Sequence, residues 1–180
     1  MSSAPIRREF RVALSDVERS LAEHATLIVG QQVEESAEHL VLRVLAWCLL
    51  WEPTLELAPG VLSPDDADLY ARDLTGRVIT WVECGATSAE KLRRVVRHQR
   101  GARVHVVGCD DDARAQLLAE LRRGKRTEGV ELHLIARELV ERLAALEPRR
   151  QNWSVTLVGG HAYVEADGLA ADGAIDRVVS

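Results

Sequence analysis

Leu69-Tyr70-Ala71-Arg72-Asp73-Leu74-Thr75-Gly76-Arg77-Val78-Ile79-Thr80-Trp81-Val82-Glu83-Cys84-Gly85 reads as two strands about a glycine turn, the second ending in a carboxylate and followed at once by a basic helix. Divalent ions that serve phosphate chemistry take hard oxygen ligands, commonly two or more carboxylates converging from rigid elements. Glu83 is therefore the first candidate for holding Mg²⁺ or Mn²⁺, and its partner depends on the hairpin register. A two-residue Thr75-Gly76 turn pairs position 74 with 77 and puts Asp68 opposite Glu83 on one face. Asp73-Leu74-Thr75-Gly76 also suits a type I turn with a bulge, which shifts the pairing by one residue and flips the faces. In either register Asp73 stays near the turn, so Asp68 is preferred as the second metal acid and Asp73 is the alternate.

Outward from this hairpin the chain alternates strands and helices. Arg8 to Leu14 and Leu21 to Val29 read as a strand pair joined near Ser15-Asp16. From about Glu35 to Trp51 the residues Leu40, Val44, Trp47, Cys48 and Trp51 form one apolar stripe and Leu42, Leu45 and Leu49 a second flank, the mark of a largely buried helix. Pro53, Pro59-Gly60 and Ser63-Pro64 punctuate an irregular link. Thr87 or Ser88 can cap a helix reaching about Arg100 and ended by Gly101. Val104 to Val107 follows as a strand, Asp110 to Arg123 as a helix closed by Gly124, Val130 to Ile135 as a strand and Glu138 to Leu146 as a short helix. Trp153 to Val158 and Ala162 to Glu165 form a hairpin across Gly159-Gly160. From Gly168 onward the residues are small and polar, and a loose tail is expected.

The composition sets bounds. At 180 residues, 47% hydrophobic, the chain fits one domain with an ordinary core. Its 23 Lys and Arg against 28 Asp and Glu give a net charge of −5, so any polyanion site has to be local. Met1 to Phe10 has no apolar leader region, and Val44 to Trp51 is too short to span a bilayer, so a cytoplasmic protein with no membrane association is expected. Cys48, Cys84 and Cys109 make neither an even set nor a ligand pair, and reduced core thiols are expected.

The local excess of cations lies between Lys91 and Arg103, with Arg93, Arg94, Arg97 and Arg100 between them, His98 among them and no acid after Glu90. On a helix, Leu92, Val95 and Val96 face the core, leaving strips that can meet phosphates: Lys91, Arg94, Arg97 and Arg100 are the candidate nucleic-acid contacts. Lys91 could also stabilise charge developing on a scissile phosphate. Glu35 and Glu38 share a face at the first turn of the long helix and could point to the same cluster. Acids at a helix start are favoured by the macrodipole without any ligand, so both also have a structural reading.

Glu35-Ser36-Ala37-Glu38 with Leu42-Arg43-Val44-Leu45-Ala46-Trp47, then Asp73-Leu74-Thr75-Gly76, and Trp81-Val82-Glu83-Cys84-Gly85 before Lys91-Leu92-Arg93-Arg94, resemble the YaeQ family from about Arg8 to Asp167. The resemblance implies a single α/β domain over residues 1–180 with its core at about 8–167. Its mixed β-sheet would be flanked by helices on a restriction-endonuclease-like, PD-(D/E)XK core, with additional N-terminal and C-terminal strand pairing. It also implies a site made of a helix acid (Glu35 or Glu38), a first-strand acid (Asp68 or Asp73) and Glu83 on the second strand. The lysine two residues beyond that last acid is Gly85 here, so a cation from elsewhere, Lys91 or Arg94, would have to replace it.

Three accounts follow. In the first, Asp68 and Glu83 hold a metal that activates water, Glu38 assists, and Lys91 steadies the phosphate, making a divalent-metal-dependent phosphodiesterase acting on nucleic acid. In the second, the scaffold is a non-catalytic module that binds a nucleic acid or a protein of the gene-expression machinery, a reading that Gly85 favours. In the third, the acids and Arg43 form a structural ion-pair network.

Overall fold

A computed structural model describes residues 4–59, 65–109, 111–124 and 129–180. Met1 to Ser3, Gly60 with the expected Ser63-Pro64 break, Asp110 at the expected start of the third helix, and Lys125-Arg126 lie outside the described residues.

The chain opens with β1 (Ile6–Asp16) and β2 (Leu21–Gln31), an antiparallel hairpin whose strands run slightly longer than their alternation predicts, with the turn at residues 17–20 rather than at Ser15-Asp16. Next comes α1 (Ala37–Leu50), capped by Ser36, whose hydroxyl accepts the His39 amide. Two apolar flanks on one helix leave few faces for water, and nine consecutive residues of α1 are buried, Arg43 among them. The short strand β3 (Leu55–Leu57), not expected from the sequence, leads to β4 (Leu69–Arg72) and β5 (Val78–Cys84). Then follow α2 (Ala89–His98), β6 (Arg103–Cys109), α3 (Asp112–Arg123), β7 (Val130–Ile135), α4 (Arg137–Ala144), β8 (Arg150–Val158), β9 (His161–Ala166) and β10 (Leu169–Val179).

All ten strands join one mixed sheet in the order β2-β1-β8-β9-β10-β7-β6-β5-β4-β3. Strands β5, β6 and β7 are parallel neighbours, and β8 runs parallel to β1. The larger core cluster gathers α1 and α4 with one sheet face, including Trp47, Leu69, Val82, Leu139 and Val155. Phe10 and Trp153 join it edge to face, their ring centroids 5.4 Å apart. The smaller cluster packs Leu92 and Val95 of α2 and Leu117 and Leu121 of α3 on Trp81, Val104, Val106 and Leu132 of the opposite face. No described helix is long and apolar enough to cross a membrane.

The segment expected to be a loose tail is instead β10, which pairs with β9 through Leu169–Ala174 and with β7 through Ile175–Val179. Its apolar alternation is faint because small residues are required there. A Cβ on Gly173 would stand 2.9 Å from the Ala136 Cβ and 3.0 Å from the Leu139 Cβ, so α4 approaches the strand backbone directly.

The hairpin contains both registers that its sequence allows. Leu69 faces Val82 and Asp68 N–H donates to the Val82 carbonyl, so counting outward puts Asp68 against Glu83. Between Ala71 and Arg72 the pairing shifts by one, which makes Arg72 face Val78 and absorbs the extra residue of the turn. The substitution Gly173→Ala should cost about 1–3 kcal/mol, because the added methyl must displace α4. Urea unfolding followed by circular dichroism checks this, and an unchanged midpoint would show that α4 is free to move.

Candidate functional site

The acids gather where α1 and β4 begin and where β5 ends. Glu35 lies just before α1, and spacing by four residues stacks Glu35, His39 and Arg43 along one side of the chain. Glu35 Oε1 accepts from His39 Nδ1 at 2.7 Å and from Arg43 Nη1 at 3.2 Å, while its Oε2 accepts the Gln32 amide at 3.3 Å. Arg43 is fully buried, and its other terminal nitrogen donates to the Ala58 carbonyl. The far side of the His39 ring reaches Asp68, with Nε2 3.1 Å from Oδ1, and Asp68 Oδ2 accepts the Cys84 amide at 2.7 Å. The order of groups is thus guanidinium, carboxylate, imidazole, carboxylate, amide.

Glu83 is 3% exposed and turned toward α2. Trp81, two residues earlier on the same strand face, donates its indole N–H to Oε1 at 2.7 Å, and Lys91 donates to Oε2 at 2.7 Å. Every carboxylate oxygen of Glu35, Asp68 and Glu83 therefore already has a protein donor. Burial penalises the charged Glu83 carboxylate and outweighs Lys91 and Trp81, so its pKa is raised. Burial also opposes the charged form of Glu35, but His39 and Arg43 together hold its pKa down. For His39, burial alone would lower the pKa, yet the hydrogen bonds to Asp68 and Glu35 raise it to about 9. At neutral pH an imidazolium stands between the two acids.

Gly85 completes this arrangement. Its φ is +70°, and a Cβ there would come 3.2 Å from His39 Cδ2. A side chain at this position would be strained and would press on the imidazole, so the absent lysine and the presence of His39 go together.

The other sequence candidates are placed differently. Glu38 is 47% exposed, 3.9 Å from Arg137, and lines the cleft beside Glu35 and His39 without joining the chain of acids. Asp73 is a turn residue: Thr75 Oγ1, at 2.6 Å, lowers its pKa first, and the Thr75 and Arg77 amides also donate to it. Lys91 is turned inward to Glu83. Arg94 pairs with Asp65 at 2.6 Å, and Arg97 and Arg100 are exposed and form no ion pair among the described residues. His39 was not singled out from the sequence, although its spacing of four from both Glu35 and Arg43 carried the signal.

Beside this cluster opens a cleft of about 660 Å³, lined by Glu35, Glu38, His39, Gly85, Cys109 and Arg137 among others. On the α2 side a smaller hollow of about 280 Å³ is lined by Trp81, Lys91, Arg94 and His98.

The raised His39 pKa makes stability depend on pH with a definite sign. A group with a higher pKa folded than unfolded stabilises fully below its unfolded value, near 6.5, and loses that contribution as pH rises through about 9. The unfolding free energy in urea should therefore decline from pH 6.5 to 9.5, by at most about 3 kcal/mol from this group. His39→Gln should flatten that decline, whereas an equally steep one in the variant would assign it to other groups.

The YaeQ protein model matches residues 1–172. The uncharacterised YaeQ protein of Escherichia coli (strain K12) is 23% identical over 83 residues, a match spanning 46% of this chain and 46% of that relative. The crystal structure of YaeQ protein from Xanthomonas axonopodis pv. citri superposes with a TM-score of 0.84 at 23% identity, covering 97% of both chains. That from Pseudomonas syringae gives 0.86 at 20% identity, covering 98% of this chain and 97% of that one. These likenesses carry the fold across the whole sheet, and the family model covers nearly the whole sequence: the chain belongs to the YaeQ family.

Proposed function

We propose that this chain is a non-catalytic module on a nuclease-like scaffold, binding the phosphates of a nucleic acid through the exposed arginines of α2. The observation that carries this reading is the closure of the acid cluster by the protein's own cations, while arginines beside it stay exposed. Lys91 occupies Glu83 and His39 stands between Glu35 and Asp68. The nuclease-like scaffold is supported by the order of parts: a helix whose start carries Glu35, a hairpin that sets Asp68 against Glu83, and then α2 and the parallel strand β6. The resident Mg²⁺ or Mn²⁺ expected of such a scaffold does not fit these side chains as they stand. A hard cation needs oxygen lone pairs turned to one point, and here those oxygens accept from His39, Arg43, Trp81, Lys91 and backbone amides.

Arg93, Arg94 and Arg97 reach solvent from α2, whose apolar side is anchored by Leu92 and Val95, and Arg100 is exposed in the turn that follows it. Beside these arginines lies the hollow lined by Asp65, Trp81, Lys91, Arg94 and His98. Binding of this kind is driven by counterion release and is not sequence-specific. A second reading, a metal-dependent phosphodiesterase, is favoured by the cleft that opens beside His39, and one experiment separates the two.

Labelled single- and double-stranded DNA and RNA are titrated by fluorescence anisotropy at several salt concentrations. Dissociation constants of about 10⁻⁴–10⁻⁶ M are expected, weakening steeply with salt. The double reversal Arg94→Glu and Arg97→Glu should weaken binding and flatten the salt slope by about 2. No binding at low salt, or binding indifferent to the reversals, would overturn the reading and direct attention to a protein partner. Cleavage in Mn²⁺ by the wild type but not by Glu83→Gln would establish the second reading instead.

A further inference from the structure

Midway along the parallel strands, away from the acid cluster, lies a group of side chains that the proposed function does not use. His105 on β6 is registered against Glu131 on β7, and His133 follows two residues later on the same face of β7. Both histidines are buried, and the Glu131 side chain is 24% exposed. Their ligand atoms converge: His105 Nδ1 stands 3.2 Å from His133 Nε2, and Glu131 Oε2 stands 3.6 Å from the first and 3.8 Å from the second. The histidine pair can share one hydrogen bond, but the two carboxylate separations are beyond hydrogen-bond reach.

The same three separations are those of one face of a tetrahedral coordination shell. Ligand atoms held at about 2.1 Å by a tetrahedral ion, the length of a zinc bond to imidazole nitrogen or carboxylate oxygen, stand about 3.4 Å apart, and the 3.2, 3.6 and 3.8 Å found here bracket that edge. Among the described residues, no other set of three His, Cys, Asp or Glu ligands gathers its atoms this closely. We infer that His105, His133 and Glu131 form a binding site for a borderline transition-metal ion of the Zn²⁺ class, with a fourth position left for water.

The surroundings support a carboxylate held in place from behind. Arg177 on β10 donates to both Glu131 oxygens at 2.9 Å, fixing the carboxylate as outer hydrogen bonds fix metal ligands generally. Arg103, the other nearby guanidinium, is turned to Glu52 and Thr80. Two imidazoles and one carboxylate favour Zn²⁺, Co²⁺ or Cu²⁺ over Mg²⁺, which prefers an all-oxygen octahedron. A metal here would clip β6 to β7 and, through Arg177, to β10, at the point where the two halves of the sheet meet. This inference does not depend on nucleic-acid binding.

The test uses the full chain, stripped with a chelator, and the metals alone as probes. Co²⁺ should bind with one-to-one stoichiometry and give the intense visible bands of a four-coordinate site, and Zn²⁺ should displace it. His105→Asn and His133→Asn should abolish the bands, Arg177→Gln should weaken binding about 10–100-fold, and His39→Asn should leave the bands intact. Circular dichroism checks each variant's fold, and Glu131→Gln, which keeps the side-chain shape, carries the test if the histidine variants do not fold. Absence of the bands from the wild type, their persistence in Glu131→Gln and the histidine variants, or their loss in His39→Asn would each overturn the site.

Discussion

Arg43 lies wholly inside the protein, and a guanidinium removed from water has to find negative charge and hydrogen-bond acceptors where it sits. Glu35 supplies the charge and the Ala58 carbonyl an acceptor. Glu35 then carries a second cation, the His39 imidazolium, and that ring in turn fixes Asp68, which accepts the Cys84 amide at the end of β5. Alternating charges therefore tie the start of α1 to the mouth of the β4–β5 hairpin. Removing one member strands the next as an uncompensated buried charge, so these groups act as a unit.

This chain constrains its neighbours. A Cβ at position 85 would press on the His39 ring that reaches Asp68, and the backbone there adopts a conformation suited to glycine. The cation that faces Glu83 comes from the following helix, where Lys91 lies in the first turn of α2. The bulge at Ala71/Arg72 serves the same end. It absorbs the odd residue of the Asp73 turn near the tip, so that pairing at the other end sets Asp68 against Glu83.

Much of this frame was legible in the sequence, for identifiable reasons. The alternation and glycine punctuation of β1, β2, β5, β8 and β9 and the double apolar flank of α1 are periodic signals that tertiary packing reinforces. β10 was hidden because its partners demand small residues: Ala171 and Gly173 lie under α4, and a strand made of them carries little hydrophobic pattern. In the cluster, Glu35, Asp68, Glu83 and Lys91 could be named from carboxylate spacing and charge, but the distinction between metal ligand and ion pair could not. That distinction rests on side-chain direction: whether Lys91 turns in or out of α2, and whether an imidazole four residues after Glu35 faces it. His105, Glu131 and His133 gave no sequence motif because they meet through the register of two parallel strands rather than through spacing along one segment.

The two polar groups on these parallel strands differ in one physical respect that decides what each can hold. At the carboxyl end of β5 the anions outnumber the protein's ability to leave them bare, and nearby cations have closed on them, so a further positive ion would have to displace an imidazolium or an ammonium that is already hydrogen-bonded. Farther back on β6 and β7, burial lowers the pKa of both histidines, that of His133 to about 4, so the rings stand neutral beside a carboxylate anchored by Arg177. The hydrogen bond between the rings places one proton and one lone pair between His105 Nδ1 and His133 Nε2, so a metal would bind there after a tautomer shift moves that proton to the ring's other nitrogen. The two groups thus differ in what they would ask of an incoming ion: the acid cluster is already charge-paired by the protein's own cations, whereas the His105–Glu131–His133 group sets two imidazoles beside an anchored carboxylate.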